Sequence, residues 1–120
     1  MKAITLLLAL VFAASGVAKL AALDFEVQAF TRWGYPLWFM FAIGAAEAAV
    51  AAGLLMRRLS AMAAAALSGL MLGAVGTHVI HAEWGMLALA STILSLSVWR
   101  AWLGRREIGS LLRTRPLAHA

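Results

Sequence analysis

The chain has 120 residues, 64% of them hydrophobic and only 12% charged, with a mean hydropathy of +0.91. That balance excludes an ordinary soluble domain, because a core of this size cannot hide so much apolar surface. The absence of cysteine excludes a disulfide framework, a thiolate metal site and a thiol relay carried by this chain.

A membrane-crossing helix consumes about 20 residues, so four spans and short connections exhaust the chain. The expected fold is all-α: a four-transmembrane-helix bundle over residues 1–104, followed by a basic tail over 105–120. The first span covers about 3–23 and carries Lys19 as its only charge. Lys2, the apolar run and the small residues Ala13, Ala14, Ser15 and Gly16 also imitate a signal peptide. Apolar character that continues past Lys19 to Leu23 argues for a retained span instead. A short interfacial helix is expected next, with Asp24 as N-cap, Phe25, Ala29 and Trp33 on its apolar face, and Gly34 and Pro36 as the stop. The second span covers about 37–56 with Glu47 inside it, and the third covers 59–80 with His78 near its end. A fourth span follows over 85–103, interrupted only by Arg100, which can snorkel to the headgroups. Beyond Gly104 the chain turns polar and basic, and a frayed tail is expected.

Lys2, Arg57, Arg58, Arg100, Arg105, Arg106, Arg113 and Arg115 share one side of this path, whereas Arg32 stands alone on the other. Short basic segments stay cytoplasmic, which places both termini in the cytoplasm. The pI of about 11.2 is then explained by anionic headgroups, and no nucleic-acid partner is expected. Phe30, Trp33, Tyr35, Trp38 and Trp84 are expected to anchor the outer interface, and Trp99 and Trp102 the inner one. Small residues supply helix contacts: Ala14, Ala18 and Ala22 in the first span, and Gly69 and Gly73 in the third. The glycine pair serves either bundle packing or a homodimer face.

Ionisable side chains inside spans are costly and mark candidate sites. Helical side chains lean toward the N-terminus, so in this topology Lys19, Glu47 and His78 point toward one another. Lys19 lies roughly 6 Å and Glu47 roughly 15 Å below the outer boundary, an offset that their side chains can bridge. The trio is either a structural ion pair with a histidine hydrogen bond, or a polar site for a head group such as a quinone carbonyl, with Glu47 or His78 exchanging protons. His78 and His81 share one helix face, and Glu83 stands near His81, but this is too few ligands for a metal site.

Ser15-Gly16-x-x-Lys19, Gly34-Tyr35-Pro36, Gly44-x-x-Glu47 and Met71-x-Gly73-Ala74-x-x-Thr77-His78 occur in this order over about residues 10–100. In these the chain resembles the DoxX-like family of small four-helix bacterial membrane proteins. That family includes a membrane subunit of an archaeal thiosulfate:quinone oxidoreductase and an actinobacterial component associated with oxidative-stress and sulfur-handling enzymes. The resemblance implies a quinone-linked redox or oxidative-stress accessory subunit with a redox partner protein. Secondary site candidates are Ser15, Tyr35 and Thr77, which lie in these motifs, and His81 and Glu83, which stand close to His78 in the sequence. The alternative is a non-enzymatic membrane scaffold in which the buried polar residues are structural.

Overall fold

Four apolar runs and two short polar ones become six helices in a computed structural model that describes residues 2–113. They are α1 (Lys2–Leu20), α2 (Asp24–Trp33), α3 (Leu37–Leu55), α4 (Ser60–Ile80), α5 (Trp84–Leu103) and α6 (Arg105–Leu112). Helices α1, α3, α4 and α5 have 19, 19, 21 and 20 residues and are long and apolar enough to cross a membrane. There is no strand among the described residues. The molecule is elongated, 54 × 26 × 23 Å. Helix α2 caps one end, and α6 lies at the other.

The helix exits explain where the first span stops. Helix α1 ends at Leu20, and Ala22 takes a left-handed φ of 54° while Leu23 N–H returns to Ala18 O at 3.1 Å. The turn after α4 repeats this: Ala82 has φ 54°, and Glu83 N–H donates to His78 O at 2.9 Å. A left-handed alanine costs roughly 1–2 kcal/mol, so both turns are held by what surrounds them. The last turns of α1 and α4 carry Lys19 and His78. Each meets a carboxylate just past its turn, Glu26 and Glu83 respectively.

Helix α2 departs from its expected face. Asp24 is its first residue, Leu23 stands at the N-cap, and Gly34 at φ 84° ends the helix. The buried side is Glu26 and Phe30, whereas Phe25 is 63% exposed. Phe30, Trp33, Tyr35 and Phe39 form a ring cluster, with centroids 5.2 to 6.3 Å apart. Phe30, Trp33 and Tyr35 are therefore packed into the protein rather than serving only as interface anchors. Trp38, Trp84, Trp99 and Trp102 are exposed, as anchors should be.

The most extensive packing joins α1 to α3 and α4 to α5; α3 also meets α4, and α1 touches α5 only slightly. Leu8 and Phe12 of α1, Val50 and Leu54 of α3, and Leu67 and Met71 of α4 form the core. Lipid removes most of the hydrophobic drive between helices, so close backbone approach has to supply the packing. That approach occurs at Gly16 and Gly44. A Cβ on Gly16 would stand 2.8 Å from Gly44 O and 2.9 Å from Ala48 N. The Ala14–Ala18–Ala22 ladder is not the contact: Ala18 is buried, but Ala14 is exposed and Ala22 lies in the turn. Gly69 and Gly73 face open space, where an added Cβ meets nothing within 4 Å. They serve no close packing within this bundle.

The segment after Gly104 is helical through Leu112, contrary to the frayed tail expected. Arg105 explains the start of α6: its guanidinium lies 4.2 Å from the Trp102 ring centroid and donates to Trp102 O at 2.9 Å. Arg115 and His119 lie outside the described residues.

Candidate functional site

The Gly16–Gly44 crossing sets the first polar cluster. Lys19 and Glu47 each follow the crossing glycine by three residues on antiparallel helices, and both lean toward their own N-termini. They meet with Lys19 Nζ 3.0 Å from Glu47 Oε1. Ser15 Oγ donates to the same oxygen at 2.9 Å, and Lys19 Nζ donates to Ser15 Oγ at 2.8 Å and to Glu26 Oε2 at 3.2 Å. Lys19, Glu26 and Glu47 are all buried. One ammonium thus holds two carboxylates from two other helices.

His78 does not join them. It is buried, and Nδ1 lies 2.8 Å from Glu83 Oε1. Glu83 also accepts from Arg32 Nε at 3.2 Å, Arg32 Nη2 at 2.9 Å and Trp33 Nε1 at 3.0 Å. The hydrogen bond from His78, followed by those from Arg32 and Trp33, holds the Glu83 carboxyl at about 2, well below its ordinary 4.5. An ionised carboxylate only accepts, so His78 Nδ1 is the donor. The expected trio is therefore a pair plus a separate histidine cluster. The reason is topological: α1 packs on α3 and α4 on α5, so Lys19 and His78 stand on different walls.

The secondary candidates divide in the same way. Ser15 belongs to the lysine cluster. Thr77 Oγ1 donates to Gly73 O at 3.0 Å, which leaves Tyr35 OH to donate to Thr77 Oγ1 at 2.7 Å. His81 Nδ1 bonds Thr77 O at 2.9 Å, and its supposed companion Glu83 is occupied by His78. No group of three His, Cys, Asp or Glu is placed to hold a metal ion among the described residues.

Both clusters line one cavity of about 630 Å³ roofed by α2. Ser15, Lys19, Glu26 and Glu47 line one wall, and Tyr35, Thr77 and His78 another. The remaining surface is largely apolar, with Phe12, Phe39, Ile43, Met71, Leu89 and Ile93. An apolar body with a few convergent polar groups is the form of a small-molecule site.

A family model for the DoxX-like family matches residues 3–99, which include both clusters and every residue lining the cavity. The chain belongs to the DoxX-like family. This DoxX-like protein is 30% identical over 95 residues to the uncharacterized protein YdgD of Bacillus subtilis (strain 168), covering 76% of this chain and 83% of that one. No solved structure matches it. With the family and four apolar helices together, it is a membrane protein in contact with the lipid bilayer.

Glu26 is the residue of the lysine cluster that sequence reasoning missed, because it lies in α2, outside the membrane spans where an ionisable group stands out. A signal was present: the chain has only five acidic residues, and Glu26 lies seven positions after Lys19 in the short polar segment that follows the first span. The pairing of His78 with Glu83 had no comparable signal, because it depends on the left-handed turn at Ala82.

Proposed function

We propose that this DoxX-like protein is an accessory subunit of a quinone-linked redox or oxidative-stress system, binding a quinone head in the cavity beneath α2. The observation that carries this reading is the cavity itself. It is about 630 Å³ of mostly apolar space, with Lys19 and Glu47 on one wall and Tyr35 and His78 on another. A carbonyl oxygen would take a hydrogen bond from Lys19 Nζ or Tyr35 OH in exchange for one that the donor now makes within the chain, and Glu47 and His78 are the groups able to exchange protons with it. Val11 of α1 and Met86 and Leu89 of α5 line the cavity and are exposed, while α1 and α5 touch only slightly. The same proposal has the quinone entering between these two helices from the lipid. It places the protein in a bacterial inner membrane with both termini cytoplasmic, supported by the arginines collected at the α6 end. Its partners are a redox protein that supplies electrons and a second copy across the open Gly69–Gly73 face.

One observation favours the scaffold instead: Lys19, Glu26, Glu47, Arg32 and His78 are all engaged within the chain. Native mass spectrometry of protein gently extracted from its own membrane separates the two readings. Wild type is expected to carry a quinone, and Glu47→Gln to retain it about ten-fold less while still unfolding cooperatively, as the loss of a charge-assisted contact implies. No quinone on either protein, with Glu47→Gln destabilised, leaves the scaffold.

A further inference from the structure

At the opposite end of the bundle, Ser60 is 3% exposed, and its Oγ has no hydrogen-bond partner. Such groups are rare, since a buried unpaired hydroxyl forfeits its hydration for nothing in return. Five other helix hydroxyls show why Ser60 differs. Ser68, Thr77, Thr92, Ser95 and Ser97 each donate to the carbonyl four residues back. Ser60 opens α4, so no helical turn precedes it to offer a carbonyl.

Ser60 lines a second cavity of about 310 Å³, bordered by the cationic residues Lys2, Arg57 and Arg100. Arg100 is fixed by donation from Nε to Thr5 Oγ1 at 2.9 Å, with Glu107 4.0 Å from its Nη2. Among the described residues, Glu107 is the one carboxylate in the lining, against three cations. Neither Lys2 nor Arg57 has an ion-pair partner among the described residues. The N-terminus of α4, with its free N–H groups and positive dipole end, opens at the same place. Leu6 and Leu55 line the cavity as well and are exposed, at 57% and 63%.

We infer that this cavity binds the phosphate of an anionic phospholipid headgroup. The phosphate oxygens take the Ser60 hydroxyl and the Lys2 and Arg57 cations, and the acyl chains lie along Leu6 and Leu55. Free phosphate would satisfy the same cations but has no use for the two leucines, which commits the site to lipid. The inference is independent of the quinone reading, because it concerns the other end of the bundle.

The test is native mass spectrometry in neutral detergent with phosphatidylglycerol or phosphatidylcholine added at equal concentration. Thermal unfolding of the lipid-free protein is measured alongside. Phosphatidylglycerol is expected to be retained about ten-fold more than phosphatidylcholine, a preference abolished in the exposed-site variant Arg57→Gln. Ser60→Ala is expected to lose retention and yet to unfold at a higher temperature than wild type when lipid-free, because the unpaired hydroxyl is gone. Equal retention of the two lipids, an unchanged preference in Arg57→Gln, or a lowered unfolding temperature in lipid-free Ser60→Ala overturns the site. Displacement of phosphatidylglycerol by excess inorganic phosphate overturns the lipid as its occupant.

Discussion

Lys19 and Glu83 solve the same problem from opposite sides. Lys19 is a single buried ammonium shared by two carboxylates and a hydroxyl, while Glu83 is a single carboxylate shared by an imidazole, a guanidinium and an indole. Withdrawing an ion from water is unfavourable unless partners replace the lost hydration, and each recruits more than one. Glu83 gives this a pH signature. Its carboxyl is held at about 2 against an ordinary 4.5, so its contribution to stability is complete above about pH 4.5 and is lost as pH falls toward 2. Thermal unfolding followed across that window is expected to show a steeper loss in wild type than in Glu83→Gln. Parallel curves would mean that Glu83 does not tie α2 to the turn between α4 and α5. At this scale the Lys19–Glu47 contact was legible, because side-chain lean and two Gly-x-x spacings set it. The partner of His78 was not, because it hangs on one backbone dihedral at Ala82.

Among the elements, two glycine pairs that look alike in sequence behave differently. Gly16 and Gly44 bring the backbones of α1 and α3 together, and an alanine at Gly16 has only backbone atoms to displace. Gly16→Ala is expected to destabilise the protein by about 1–3 kcal/mol, the usual cost of overpacking, and to separate Lys19 from Glu47. Gly69→Ala meets nothing and removes a flexible residue from mid-helix, so the monomer is expected to gain about 0.5–1 kcal/mol. Unfolding of both variants in the same detergent checks the contrast, and equal effects would contradict it. Hydropathy located the four long helices to within a few residues, because apolar content and a 1.5 Å rise are properties of a single segment. It misjudged the tail and the face of α2. Helix α6 depends on Arg105 packing over Trp102, and α2 turns Glu26 inward because Lys19 waits there.

The whole molecule is polarised along its 54 Å length. One end holds α2 and the cavity with both ionic clusters; the other holds the basic loop at Arg57 and Arg58, the Ser60 cavity and α6. The proposed orientation can be tested directly, since a chain without cysteine gives no labelling background. In spheroplasts, an impermeant maleimide is expected to label Thr31→Cys at once and Arg58→Cys only after lysis. The reverse pattern would invert the protein and move the proposed lipid site to the other leaflet.

The sequence by itself determined the membrane class, the four spans, the basic end and the Lys19–Glu47 encounter, because each follows from hydropathy, charge placement or helical geometry along a short stretch. Only the tertiary structure decided that His78 faces Glu83, that Glu26 completes the lysine cluster, that Gly16 rather than Gly69 is the close contact, and that two cavities lie at opposite ends. Those outcomes depend on how each helix is rotated against its neighbours and how each turn closes, and such non-local quantities are set by all the helices packing at once.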